Sequence, residues 1–215
     1  MKKATILLIL LGNMLLLHAQ SNVEYKGVSI ANGDFLFFGA QAQNLSGAIN
    51  RVTQLKDSIS FSHIGLIEVI EGVPYLLHSI GNKGSVKESL DNLTKYGKGQ
   101  QYVVYRIDSI HSHAIPRAME IAHEMLGKPY NWSYKLNDSS YYCSDFVERA
   151  FRPIGLFKLE PMTFKNPVTG ELDEFWVKFY AKQGLEVPEG ELGCNPNGLA
   201  ANPNIHRVGT LQTTK

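Results

Sequence analysis

The sequence predicts an α+β domain built around an antiparallel sheet, and three observations carry that prediction. Residues 60–70 and 73–80 are two runs rich in β-branched and apolar residues, separated by Glu71-Gly72, the signature of a hairpin. Apolar residues recur at helical spacing in Ile115, Ala118, Met119, Ala122, Met125 and Leu126, and again in Cys143, Phe146, Val147, Ala150 and Phe151. Strand-like and helix-like segments follow one another in mixed order, with no internal repeat and no linker. The 215 residues suffice for one sizeable core, and a composition of 44% hydrophobic and 19% charged residues excludes a disordered chain.

In chain order, Met1-Lys2-Lys3, the apolar runs Ile6 to Leu11 and Leu15-Leu16-Leu17, and the small Ala19 read as a signal peptide over residues 1–19. The run is too short and too interrupted by Gly12-Asn13 for a membrane anchor. Residues 20–215 then form one domain, periplasmic or extracellular. Loss of Lys2 and Lys3 lowers the formal net charge by two from +1, so electrostatics offer no case for nucleic acid.

Gly33-Asp34 opens a buried strand at Phe35-Leu36-Phe37-Phe38. Ala48, Ile49, Val52 and Leu55 suggest a short helix with Ser46 as a cap, in a segment running to Asp57. The first hairpin strand is apolar on both faces and should be central. Residues 85–96 read as a loop and a short helix, and Tyr102-Val103-Val104-Tyr105-Arg106-Ile107 as another strand. Pro116 suits the start of the next helix, and Gly127 and Pro129 end it. The Cys143 helix stops at Pro153 and Gly155, and Glu174, Phe175, Trp176, Phe179 and Tyr180 lie on a third helix. Residues 184–207, rich in Gly, Pro and Asn, read as a long loop within a turn-rich tail (184–215). Val187 to Pro203 are expected to cover part of a cleft, so that deleting them changes substrate preference more than thiol reactivity.

The hairpin brings two histidines together. A two-residue turn at Glu71-Gly72 makes Gly65 face His78 and His63 face Ile80, so His63 and His78 share a face as diagonal neighbours. A one-residue slip would separate them. Gly65 leaves room on that face, which is where the Cys143 helix is expected to approach. Cys143 itself stands at the start of its helix, where the positive end of the dipole favours thiolate; Asp145 would mildly oppose it. A thiol nucleophile needs such activation, a base and a group that orients the base. Each residue alone has a plainer reading: a core histidine, a core aromatic, or a Cys143–Cys194 disulfide in an exported chain. His111, His113, His123 and His206 show no zinc-like spacing with cysteine or carboxylate.

Gly127-Lys128-Pro129-Tyr130-Asn131-Trp132 followed by Tyr142-Cys143-Ser144-Asp145-Phe146-Val147 resembles the nucleophile region of NlpC-type papain-like cysteine peptidases. Ser62-His63-Ile64-Gly65 and Leu77-His78-Ser79 resemble their histidine strand and the strand after it. Here the histidines precede the cysteine. That order, with the Gly33-Asp34-Phe35-Leu36-Phe37 opening, resembles the circularly permuted branch, the YiiX/YaeF-like amidases. The resemblance implies a permuted papain-like fold, with a central antiparallel sheet packed by helices. It implies Cys143 as nucleophile, His63 as general base and acid, His78 as the residue that orients His63, and Tyr130 with the Cys143 N–H at the oxyanion site. Tyr142 and Trp132 join Tyr130 as candidate substrate-binding aromatics. Asp145, His78 and Ser133 stand where relatives often carry Gly or Glu, Glu, and Gly. Such chemistry needs no metal or organic cofactor, and a Cys143–Cys194 bridge would consume the nucleophile. The expected activity is that of an exported cysteine amidase or peptidase, on cell-wall peptides or lipid-linked amides and esters. The resemblance to lecithin:retinol acyltransferase-type enzymes leaves a lipid acyl hydrolase or acyltransferase open, and a catalytically inactive binding module is the alternative from another class.

Overall fold

The computed structural model describes residues 22–55, 59–96 and 99–213. The expected signal peptide and Asp57 lie outside them. A small hairpin, β1 (Val23–Tyr25) and β2 (Val28–Ile30), leads into β3 (Phe35–Gly39). There follow α1 (Asn44–Thr53), β4 (Phe61–Ile70), β5 (Val73–Ile80), β6 (Gly84–Ser89), α2 (Leu90–Tyr96) and β7 (Tyr102–Ile107). A 3-10 turn, Ser109–Ala114, precedes α3 (Ile115–Glu124), and α4 (Cys143–Phe151) follows a long loop. The chain closes with β8 (Glu160–Pro161), α5 (Glu174–Ala181), β9 (Leu192–Gly193), α6 (Pro196–Ala200) and β10 (Ile205–Thr210).

Six strands form one antiparallel sheet in the order β10-β7-β3-β4-β5-β6. β4 is internal and apolar on both faces because both are covered. Ile64 and Leu66 join the larger core with α3 and α4, while Ile67 joins a second cluster with Tyr25, Leu36, Leu76, Leu90 and Val104. Glu71 and Gly72 both adopt positive φ (49° and 81°), the conformation of a tight turn whose twist matches its strands. The register therefore runs Ile70 opposite Val73 through Leu66 opposite Leu77, as the sequence predicts. At the entry to β3, buried Asp34 accepts the Ala31 N–H and two hydrogen bonds from Arg106 on β7.

Four expectations are corrected. Ser46 does not cap α1: Gln43 occupies the cap position without a side-chain bond, and the helix ends at Thr53, before Leu55. The Ser46 hydroxyl instead accepts the Gln41 N–H and donates to Ser62 on β4. The segment read as a loop at residue 85 is strand β6, whose polar residues follow no apolar alternation because it lies at the sheet edge. The tail is ordered structure. Asn195 caps α6 by accepting the Gly198 N–H, Pro196 fits the first turn, and β10 pairs with β7. Finally, the space at Gly65 is filled from its own hairpin: an added Cβ would meet His78 Cβ and Leu76 Cγ, both at 2.8 Å.

Candidate active site

His63 on β4 and His78 on β5 meet as the hairpin register requires. His63 Nε2 lies 2.8 Å from His78 Nδ1, and His78 Nε2 lies 2.9 Å from Glu88 Oε2 on β6. Lys83 donates to the other oxygen, Glu88 Oε1, at 2.5 Å. His78 is fully buried, while His63 is half-buried with its ring edge-on to Phe38.

The His78 bond, with help from Lys83, pulls the Glu88 carboxyl down to about 2, so Glu88 is a carboxylate that can only accept. His78 Nε2 must then carry a hydrogen. For His63 to act as a base through Nδ1, its Nε2–H must donate to His78 Nδ1. Burial, and then the neighbouring His78, push the His63 pKa well below 6.5, so the ring is neutral at neutral pH. Sequence reasoning missed Glu88, which sits in the segment read as a loop.

Cys143 is the first residue of α4, and no side chain caps that helix. The first-turn N–H groups are thus free of a cap. The N–H groups of Ser144, Ile64 and Cys143 and the Ser144 hydroxyl all favour the thiolate. Burial outweighs them and pushes the thiol up to about 11, so the expected thiolate-favouring field is present but does not prevail in the resting protein. Ile64 is the residue after His63, which places the thiol beside β4. The thiol and His63 are not joined by a hydrogen bond in the resting state, a separation that is common before substrate binds.

The loop before α4 is tied to the histidine strand. The Tyr141 carbonyl accepts the Ser79 hydroxyl at 2.6 Å and the Asn131 N–H at 3.0 Å, and Ser79 is the neighbour of His78. Gly84 at φ +72° lets Lys128 approach, since a Cβ there would lie 2.3 Å from its carbonyl oxygen. Asn131 holds the loop's turn through Ser133 and Lys135.

The aromatics divide. The Tyr130 hydroxyl lies 3.3 Å from that of Tyr134, and both phenols are raised by burial with a further contribution from Cys143, so both stand close to the thiol. The Tyr134 backbone is left-handed at φ 55°. Trp132 packs on Tyr130 and lies over Gly81. Tyr142 reaches toward the tail: its hydroxyl accepts the Cys194 N–H at 3.2 Å, and its ring lines the cavity beside Cys143. Cys143 and Cys194 are both free and both buried.

A strand histidine joined to a second histidine, beside a cysteine at a helix start and in histidine-first order, is the arrangement of a permuted papain-like protein. The chain belongs to the family of permuted papain-like amidases, YaeF/YiiX, C92, which it matches over residues 29–209. It is 23% identical over 184 residues to the uncharacterized protein YiiX of Escherichia coli strain K12, covering 82% of this chain and 84% of that one. Its fold is that of the crystal structure of the metalloprotein yiiX from Escherichia coli O157:H7, with a TM-score of 0.66, 21% identity, and coverage of 85% of this chain and 97% of that one. The permuted papain-like fold with an antiparallel sheet packed by helices is therefore established, and the family is one of cysteine hydrolases of the amidase type.

Proposed function

We propose that the chain is an exported cysteine hydrolase in which Cys143 attacks an amide or ester carbonyl and His63, oriented by His78, moves the proton. The observation that carries this reading is the His63–His78–Glu88 chain, which leaves a neutral imidazole with one bare nitrogen next to a strand position that holds a thiol. In the first step His63 Nδ1 takes the Cys143 proton as sulfur bonds to the carbonyl carbon. The oxyanion that forms is met by the Cys143 N–H and the Tyr130 hydroxyl. His63 returns the proton to the leaving amine or alcohol, and the resulting thioester is hydrolysed by water with His63 again as base. A base is needed because the buried thiol does not ionise unaided at neutral pH.

The solved neighbour is a metalloprotein. In this chain His63 Nε2, His78 Nδ1 and His78 Nε2 are engaged with one another or with Glu88. Among the described residues no group of three or more His, Cys, Asp or Glu could hold a metal ion, so no step is derived through one.

The test is mass spectrometry of the purified mature protein after brief exposure to 4-nitrophenyl acetate. One acetyl group on Cys143, absent in Cys143→Ala and formed about 100-fold or more slowly in His63→Ala, is expected. Acetylation of surface lysines alone would refute the reading and leave the inactive binding module. Export is tested by the N-terminus of the protein recovered outside the cytoplasm, which should begin at residue 20.

A further inference from the structure

The roles given to Cys143, His63 and Tyr130 leave one polar group at the site unused, the Tyr134 hydroxyl. The Tyr134 side chain is buried, lines the cavity beside Cys143, and places its hydroxyl 3.3 Å from that of Tyr130. Among the described residues that contact is the one hydrogen bond of the Tyr134 hydroxyl. Burial above all raises both phenols, so both keep their hydrogens at neutral pH and both are donors.

The fold aims this side chain from two directions. A left-handed φ of 55° is uncommon for a bulky residue and persists where the neighbours over-determine it. Asn131 does so from both sides: its side chain accepts the Ser133 N–H at 3.1 Å and donates to the Lys135 carbonyl at 2.7 Å. The ring itself packs on Tyr142, with centroids 5.2 Å apart, and edge-on to Trp176 at 5.6 Å. Filling the core would require neither the strained backbone nor a hydroxyl set against Tyr130.

We propose that Tyr134 is a positioning residue for the oxyanion site: its hydroxyl donates to the Tyr130 oxygen and so leaves the Tyr130 hydrogen for the oxyanion. The proposal rests on the cysteine-hydrolase reading above and deepens it. Each phenol has one hydrogen, and the contact between them takes one of the two. Were Tyr130 the donor of that contact, the oxyanion would be met by the Cys143 N–H alone. The resting separation of 3.3 Å is long for a bond between hydroxyls. As charge builds on the carbonyl oxygen, it draws the Tyr130 hydrogen, and the Tyr130 oxygen becomes a better acceptor for Tyr134. The stabilisation therefore appears in the transition state rather than in the bound substrate. No proton leaves either phenol.

The experiment compares ester turnover and Cys143 acetylation by 4-nitrophenyl acetate, the latter read by intact mass, in the wild type, Tyr134→Phe, Tyr130→Phe and the double variant. Tyr134→Phe keeps the ring that packs on Tyr142 and Trp176 and removes the hydroxyl alone. It should lower kcat about tenfold with KM unchanged. Tyr130→Phe should cost about 100-fold, and adding Tyr134→Phe to it should change the rate by no more than about twofold. Alkylation of Cys143 by iodoacetamide develops no oxyanion and should run at the wild-type rate in Tyr134→Phe. Equal loss of acetylation and alkylation in Tyr134→Phe would overturn the proposal in favour of a packing role. Losses that multiply in the double variant would overturn it in favour of a direct contact between Tyr134 and the substrate. Wild-type acetylation in Tyr134→Phe would overturn it while leaving the hydrolase reading intact. No adduct on Cys143 in the wild type would overturn both readings.

Discussion

Glu88 holds a hydrogen on His78 Nε2, and the proposed mechanism requires His78 Nδ1 to accept from His63 so that His63 Nδ1 is bare. Glu88→Gln keeps the shape but can present an amide hydrogen to His78, which would turn the chain of protons round. Activity should then fall about 100-fold in kcat with KM little changed, read from ester turnover, and Glu88→Asp should recover part of it. A purely structural Glu88 would instead lower thermal stability with no such split. The meeting of His63 and His78 was legible because a strand alternates faces and the hairpin turn set the register. Glu88 was not, since a lone carboxylate in a polar edge strand has no periodic neighbours to mark it.

At the scale of the element, α4 combines the proposed nucleophile with a buried acid. Asp145 is fully buried; Arg149 binds one of its oxygens at 2.8 Å, and the other, Oδ2, has no hydrogen-bond partner. Burial raises its pKa from 3.8 to about 6 against the pull of Arg149. A carboxyl with a raised folded pKa binds its proton more tightly in the fold, so its contribution to stability declines as pH rises through 3.8 to about 6. Asp145→Asn should therefore raise Tm relative to the wild type more at about pH 8 than at about pH 4, measured by thermal unfolding. An equal shift at both pH values would contradict this. Glu88 has the opposite sign: its folded pKa is depressed, and its contribution is lost as pH falls from 4.5 toward about 2. The helices α3 and α4 were readable from their apolar stripes. α6 is only five residues long and was not, although Asn195-Pro196 is a helix-start signal that could have been used.

For the whole molecule, the tail is part of the fold. β10 forms an edge of the six-stranded sheet, and Cys194, Leu199 and Ile205 are buried in the larger core. Asn197 binds the Phe61 N–H at 2.7 Å and Thr53 Oγ1 at 2.8 Å, tying α6 to β4 and α1. The sequence reading expected deletion of the tail to change substrate preference more than thiol reactivity. The structure predicts instead that a chain ending at residue 184 loses cooperative unfolding, seen by circular dichroism or calorimetry, because it would expose that core. A truncated chain that melts like the full one would refute this. Gly-, Pro- and Asn-rich composition hid the tail's order because its packing is supplied by distant strands, a tertiary effect that local propensity does not carry.

The proposed mechanism requires that the thiol be served by a neutral imidazole whose Nδ1 is bare. Nitrogen-15 NMR of the histidine rings in the resting protein near neutral pH tests this, with His63→Ala and His78→Ala for assignment. Both His63 and His78 are expected to carry hydrogen on Nε2 only, and His63 to stay neutral well below pH 6.5. A His63 ring protonated on Nδ1, or charged at neutral pH, would contradict it.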